Sequence, residues 1–432
     1  MSTPVIGLLG FVVAMVLTFA GVPVSIAMAI TGVAGFALIN GTDGAIYVLS
    51  SAPFEAVFPY SLSVIPLFVA MGVFSSHAGL SASLFGAMNG LFGRFRGGLA
   101  MASVGACAIF GAICGSSLAT AATMGRIAVP EMIRAGYKPS LAGASVAAAG
   151  TLGVLIPPSV LMVIYALLTE NSIGQLFAAA LFPGLLATFL YIAAVVIAVR
   201  VNPELAPAVN RGKDAPKAKL DKSVVAAISL FVIVIGGLYS GFFSATEAAA
   251  VGAFCAAILA VIMKTPMSGM IEASLETAKT SAMMFMILIG AALFNFFIEG
   301  TGLASVIGDW ISQSGLSPTM IMILIIVFYL ILGCFMDSLS MILLTIPIVY
   351  PIVINIGYDP IWFGIIIVSV AEIGLITPPI GMNLFVVQNV APQVSQRDII
   401  FGILPFVMAD VLRVFLFLAF PAIVLFLPMM MR

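Results

Sequence analysis

The stretch FGAICGSSLATAATMGRIAVPEMIRAGYKPSLAGASVAAAGTLGVLIPPS, residues Phe110–Ser159, is written a second time 221 residues later as ILGCFMDSLSMILLTIPIVYPIVINIGYDPIWFGIIIVSVAEIGLITPPI, residues Ile331–Ile380. The two align without a gap, Gly136 falling on Gly357 and Pro158 on Pro379. Between Gly136 and Pro158, seven of 23 positions are identical: Gly136, Tyr137, Pro139, Gly143, Gly153, Pro157 and Pro158. Upstream, Pro130 meets Pro351. The shared residues are mostly Gly and Pro. In a chain that dissolves in lipid, this points to helices interrupted around a central binding site.

Composition establishes the lipid. Of 432 residues, 62% are hydrophobic and only 8% charged, with mean hydropathy +1.26. Soluble domains carry roughly 25% charged residues, so this chain cannot present a solvated surface all round and reads as an all-α polytopic membrane protein. A net charge of -1 and a single His exclude a nucleic-acid surface and a His-built metal centre. Cys107, Cys114, Cys255 and Cys334 lie in apolar runs without paired spacing, which argues against a disulfide frame or a zinc site. The N-terminus has no basic leader and no A-x-A cleavage site, so its apolar run is expected to be a retained span.

A bilayer core of about 30 Å takes roughly 20 apolar helical residues to cross. Candidate spans are 4–20, 23–40, 61–78, 140–168 and 175–199, then 223–240, 245–263, 281–297, 358–389 and 402–428. Each half also holds a longer apolar run, 98–137 and 319–356, with a small or polar patch at its midpoint. Such a run is two crossings or one re-entrant hairpin, and charge decides. With the linker 200–222 in the cytoplasm and both runs treated as hairpins, the linker's six Lys/Arg join Arg94, Arg96, Arg134, Lys138, Lys264, Lys279 and Arg397 on one side. That places 13 of the 16 basic residues inside, as the positive-inside rule requires. Both termini then lie outside.

Each half thereby has five crossings and one re-entrant hairpin. Five is odd, so the second repeat (223–432) enters from the opposite face to the first (1–199), and the repeats are inverted. The hairpins 98–137 and 319–356 open to opposite sides with their tips at the midplane, beside the broken helices 140–168 and 358–389. This is the architecture of secondary transporters. The stretches 44–57 and 267–280 are short and amphipathic, and are expected to lie along the membrane surface as interfacial arms.

The chemistry sits at the four breaks. At the first tip, Gly111 and Gly115 free the backbone to turn, while Ser116, Ser117 and Thr120 supply hydroxyls and a half-helix presents its N–H groups. Small residues there could also serve only close helix packing. In the partner break, Pro157 and Pro158 remove donors and free carbonyls, which with Gly153 and Ser159 make a neutral oxygen cage suited to Na⁺. The second half offers Asp337 and Ser338 at its tip and Glu372, Thr377, Gly381 and Asn383 along its break. Here carboxylates join the cage, and an ionisable residue at membrane depth is a functional candidate. Asp337 aligns with Ser116 and Glu372 with Thr151, so the two sites are related but chemically unequal. A structural hydrogen-bonded pair of Asp337 and Glu372 is the alternative. Arg126 either attracts an anion or snorkels to the surface. Glu247 reads as a hydrogen-bonded packing residue, Asp410 with Arg413 as an intrahelical i,i+3 pair, and His77 as interfacial.

Gly-Ser-Ser-x-Ala-Thr-Ala at 115–121, Arg-x-x-x-Pro-Glu-Met running to Tyr137, and Gly-Thr-Leu-Gly-x-Leu-Ile-Pro-Pro-Ser at 150–159 resemble the large membrane subunit of TRAP transporters. So do Tyr239-Ser-Gly, Thr246-Glu-Ala-Ala-Ala-Val, Met336-Asp337 and the Glu372–Phe385 run. The resemblance spans essentially the whole chain. One departure is Ser244-Ala245, where the family usually carries Thr-Pro, which bears only on a local helix start. The resemblance implies Na⁺-driven uptake of small organic acids across the bacterial inner membrane by an elevator-like movement. It further implies a periplasmic binding protein and a small four-helix membrane subunit, expected here as a separate chain. Na⁺ would sit at Gly115, Ser116, Gly153 and Pro157 in one site and at Asp337, Ser338, Glu372, Thr377 and Gly381 in the other. Substrate would lie between the tips, on Ser117, Thr120, Arg126, Ser159 and Asn383.

Competing readings are a self-sufficient Na⁺/anion symporter that works without a binding protein, a passive channel, and an intramembrane hydrolase using Ser116 or Ser117. The hydrolase lacks an activating His or Lys near either break.

Overall fold

The computed structural model describes residues 2–208 and 221–431. Most of the expected linker, 209–220, lies outside the described residues. No strand occurs among the described residues, and eight helices are long and apolar enough to cross a bilayer, or nine with one bent pair counted as a single span. Lipid solvates these helices as well as protein does, so their outer faces stay apolar: Phe182, Leu185 and Phe189 on one helix and Phe401, Leu404 and Met408 on another stand exposed.

The first repeat runs α1 (Thr3–Phe19), α2 (Val24–Val57), α3 (Val64–His77), α4 (Leu80–Phe92), a hairpin of α5 (Gly98–Cys114) and α6 (Ser117–Arg134), and a broken helix of α7 (Pro139–Gly150), α8 (Leu152–Leu155) and α9 (Val160–Leu168), and ends in α10 (Ile173–Val201). The second runs α11 (Lys222–Tyr239), α12 (Ala245–Ile262), α13 (Met267–Thr301), α14 (Leu303–Gln313), a hairpin of α15 (Pro318–Gly333) and α16 (Ser338–Asn355), a broken helix of α17 (Pro360–Ile376) and α18 (Met382–Val390), then α19 (Gln396–Ala419) and α20 (Ala422–Met430). The element order repeats almost piece for piece.

The differences between the halves are instructive. The arm expected at 44–57 is the second limb of α2, set off by a break at Gly41, whose φ of 79° is open to glycine but not to side-chain-bearing residues. The arm expected at 267–280 is not set off from the span at 281–297, because no Gly or Pro interrupts α13 before Gly290 except Gly269 in its first turn. Conversely, the single span expected at 402–428 divides at Phe420, whose backbone leaves the helical region (φ -131°, ψ 73°) just before Pro421, a residue with no N–H to give to the preceding turn. The amphipathic helices α4 and α14 lie where no element was expected. Finally, the ungapped alignment slips by one residue before the tips. Gly111 packs on Gly153, but the residue that packs on Gly374 is Gly333, not Leu332. From the packing glycine to the residue that caps the next helix, the second tip (Gly333 to Asp337) is therefore one residue shorter than the first (Gly111 to Ser116).

The helices sort into two packed groups. In one, α2 lies along α13, and α3 packs on α12 and α13, with α1 and α11 outside. Glycines permit the close approach: a Cβ at Gly32 would stand 2.6 Å from the Leu293 carbonyl. In the other group, α7 is enclosed by α5, α6 and α19, while α17 packs on α15, α16 and α10. The two groups meet where α3 touches α5 and α13 touches α16. There Gly72 lies against the tip residue Cys114, at a distance that leaves no room for a Cβ.

Candidate functional site

Four helix interruptions converge inside the second group. At the first tip α5 ends on Gly115, in the left-handed conformation (φ 66°), and Ser116 caps α6 by accepting the Ala119 N–H at 3.4 Å. Beside it the chain breaks at Pro157–Pro158, bending α7–α8 against α9 by 43°. Ser159 caps α9 through the Met162 N–H. The break is pressed onto the tip. A Cβ at Gly153 would come within 2.6 Å of Thr120 Oγ1 and 3.0 Å of the Ser116 carbonyl, and one at Gly115 within 3.2 Å of the Pro158 carbonyl. Thr120 is fully buried there, and its hydroxyl has no hydrogen-bond partner among the described residues.

The second tip is built on Asp337. Its carboxylate caps α16, accepting the Ser340 N–H at 3.0 Å and the Ser340 hydroxyl at 2.6 Å. The neighbouring Ser338 donates at 2.9 Å to Oε1 of Glu372, which is 1% exposed in the last turns of α17. Ser117, the equivalent of Ser338 in the first repeat, stands within interaction range of the same carboxylate. Thus the first residues of both hairpin half-helices, 221 positions apart, face one carboxyl group. Oε2 of Glu372 is buried without a partner among the described residues. Gly381 (φ 64°) opens α18 and donates its N–H to the Cys334 carbonyl, closing the second break onto its tip.

The alternative, a hydrogen-bonded pair of Asp337 and Glu372, does not form: their partners are Ser340 and Ser338 respectively. Thr377 returns its hydroxyl to the Ile373 carbonyl of its own helix. Asn383 is fully buried and ties the two broken helices together, Nδ2 donating to the Ala147 carbonyl at 3.1 Å while Oδ1 stays free among the described residues. Arg126 is not part of the cluster. It is exposed on α6, because nine residues after Ser117 is two and a half helical turns, the opposite face. Pro157 and Pro158 are buried, whereas Pro379 is exposed, so the second break is the more open.

Sequence reasoning missed a second network. Thr151, which holds the position equivalent to Glu372, meets the Tyr191 hydroxyl at 3.1 Å. Tyr191 donates at 2.7 Å to Oδ2 of Asp410, and Oδ1 of Asp410 lies 3.1 Å from Arg413. Asp410 and Arg413 are each 1% exposed, so the intrahelical pair is no lipid-facing decoration but a core junction of α7, α10 and α19. The available signal was the alignment itself, in which a threonine replaces a carboxylate. Glu247, in turn, forms a capping box with Ser244, so the departure at Ser244-Ala245 still starts a helix. His77 reaches Glu276 at 3.1 Å.

The unpartnered oxygens of Thr120, Glu372 and Asn383 are hard donors of the kind an alkali cation takes. No group of three His, Cys, Asp or Glu that could hold a metal occurs among the described residues.

Residues 11–423 match the family described as "Tripartite ATP-independent periplasmic transporter, DctM component". The chain is 38% identical over 362 residues to the C4-dicarboxylate TRAP transporter large permease protein DctM of Pseudomonas aeruginosa, covering 81% of this chain and 84% of that one. It is 33% identical over 380 residues to the isethionate TRAP transporter permease protein DctMQ of Oleidesulfovibrio alaskensis, covering 86% of this chain and 58% of the relative. Among solved structures, the Alcanivorax borkumensis YdaH transporter superposes with a TM-score of 0.64 at 14% identity, over 93% of this chain and 98% of the other, a likeness of fold. These relatives are permeases rather than enzymes. The chain is a multi-pass membrane protein of the tripartite ATP-independent periplasmic transporter family, and belongs to its DctM component.

Proposed function

We propose that this chain couples Na⁺ entry to the uptake of a small organic acid across the bacterial inner membrane. The observation that carries this reading is the meeting of Ser117, Ser338 and Glu372. A buried carboxylate with one unpartnered oxygen is costly unless a cation joins it, and the two hairpin tips supply hydroxyl and carbonyl oxygens on either side. A first cation would rest on Gly115, Ser116, Gly153 and Pro157 with Thr120 close by. A second would rest on Ser338, Glu372 and Gly381 near Asp337. The N-termini of α6 and α16 both point toward the space between the tips, and their N–H groups favour an anionic substrate. The substrates named for the relatives, a C4-dicarboxylate and isethionate, are anions of that kind.

Alternating access would proceed by movement of the hairpin group against the α1–α3 and α11–α13 group, an elevator-like displacement, since the binding residues all lie on one side of that boundary. Delivery by a periplasmic binding protein follows from the family's tripartite organisation. A small four-helix membrane subunit would pack on the scaffold group as a separate chain, although the relative named DctMQ is longer than this chain. The basic-residue count places the linker in the cytoplasm and both termini outside.

The test is uptake of organic acids into proteoliposomes holding this chain and its small membrane partner, with and without an inward Na⁺ gradient and a cognate binding protein. Dependence on both is the expected result. Uptake that needs Na⁺ alone would favour a self-sufficient symporter, and Na⁺-independent flux down the substrate gradient would favour a channel.

A further inference from the structure

Near one end of the helix bundle, away from the hairpin tips, the α4–α5 turn and the last turns of α10 enclose a cavity of about 700 Å³. Phe92, Met101, Val196 and Val199 form its apolar walls, and Arg96 and Arg200 stand at its polar edge with no acidic residue among the lining. Arg94 stacks over Phe95, another wall residue, at 5.5 Å, which brings a third guanidinium to the rim. Arg96 donates through Nε and Nη2 to the carbonyls of Pro203 and Ala206, which fixes the guanidinium in place. Its Nη1 has no partner among the described residues. Arg200 forms no ion pair among the described residues, unlike Lys138 nearby, which is paired with Glu204.

A pre-fixed guanidinium with a free edge, a second arginine without an ion pair and the apolar walls of the cavity match the polarity of a phospholipid: anionic head, apolar tail. Arginine suits the head because its planar fork matches phosphate oxygens. Basic pockets at helix ends beside the bilayer surface recognise acidic lipid head groups on these grounds. We propose that this cavity is a binding site for one anionic phospholipid, its phosphate held by Arg96 and Arg200 and its acyl chain laid along Val196 and Val199. Since α5 is the first arm of the hairpin, an occupied site braces the hairpin's base against α10 and the start of the linker. The assignment does not depend on which ion drives transport.

The test is lipid binding to the purified full-length protein, with its membrane partner, in nanodiscs or by native mass spectrometry. Phosphatidylglycerol and cardiolipin should bind in preference to phosphatidylcholine, and Arg200→Gln, an exposed change at a helix end, should weaken their binding about five-fold. Arg134→Gln, which removes an equal charge from the exposed pair with Glu131, should leave it unchanged. Equal loss in both variants would reduce the effect to general surface charge and overturn the site. Retention of full affinity in the Arg200 variant, equal binding of phosphatidylcholine, or competition by inorganic phosphate alone at comparable concentration would overturn it too.

Discussion

The hydroxyl of Ser338, first residue of a hairpin half-helix, is hydrogen-bonded at 2.9 Å to the carboxylate of Glu372, buried in the following broken helix. The contact joins the tip of the second hairpin to its break. Through Ser117 the same carboxyl group faces the first hairpin as well, so the side chain at 372 is shared by both repeats.

Replacing Glu372 by Gln keeps the side-chain shape and an acceptor for Ser338 but removes the charge. Hydrogen bonds to charged groups contribute about 1.5–3 kcal/mol, so half-activation by Na⁺ should move up roughly ten- to a hundred-fold. Thermal stability should change little or rise, because a buried charge has been neutralised. A Na⁺ titration of uptake beside a melting curve reads both, and an unshifted Na⁺ response in a well-folded protein would remove Glu372 from the ion site.

The junction of Asp410, Arg413 and Tyr191 predicts the reverse pattern. Asp410→Asn leaves the buried Arg413 uncompensated and should cost about 3–5 kcal/mol, read as a lowered melting temperature in detergent. The double change Asp410→Leu with Arg413→Met removes both charges and should recover most of that loss. Tyr191→Phe, which deletes the link to Thr151, should cost about 1–3 kcal/mol by leaving buried acceptors unpaired.

Close backbone approach is tested at Gly153. An added methyl would press on Thr120 Oγ1 at 2.6 Å and on the Ser116 carbonyl at 3.0 Å. Gly153→Ala should therefore destabilise by about 1–3 kcal/mol through overpacking, and should also weaken Na⁺ activation because it pushes the tip from the break. Pairing it with Thr120→Ala, which removes the crowded Oγ1, should return part of the stability. Absence of any recovery would mean that the backbone contact with Ser116 dominates.

Outside the membrane, Lys138 hydrogen-bonds Glu204 at 2.6 Å and holds its carboxyl below the ordinary carboxylate range, by hydrogen bond first and charge second. A depressed folded value stabilises the tie at higher pH and releases it as pH falls through that value. Carboxyl ¹³C chemical shifts of Glu204 should show the depression and its loss in Lys138→Ala. Both groups are exposed, so no change in global unfolding is expected.

Some features of this site could be read along the chain and others could not. The tips and breaks were visible because Gly115 and Gly381 act locally through φ freedom and Pro157 through its missing donor. Arg126 was placed at plausible depth, yet counting residues without counting turns hid that it points away from Ser117. The network of Thr151, Tyr191, Asp410 and Arg413 was invisible for another reason: the Tyr191–Asp410 contact is 219 residues long in sequence, and only the packing of α10 against α19 sets its register.

Sequence by itself determined the solvent, the repeat and the points of interruption, because hydropathy, periodicity and the backbone limits of Gly and Pro are properties of neighbouring residues. Tertiary structure alone decided which polar groups meet. It set Glu372 against Ser338 rather than beside Asp337, joined the Asp410–Arg413 pair to Tyr191 and Thr151 on other helices, and slipped one hairpin arm by a residue. In a low-dielectric interior an unpaired polar group is costly, and a partner on another helix is fixed by rotation and register between helices far apart in the chain.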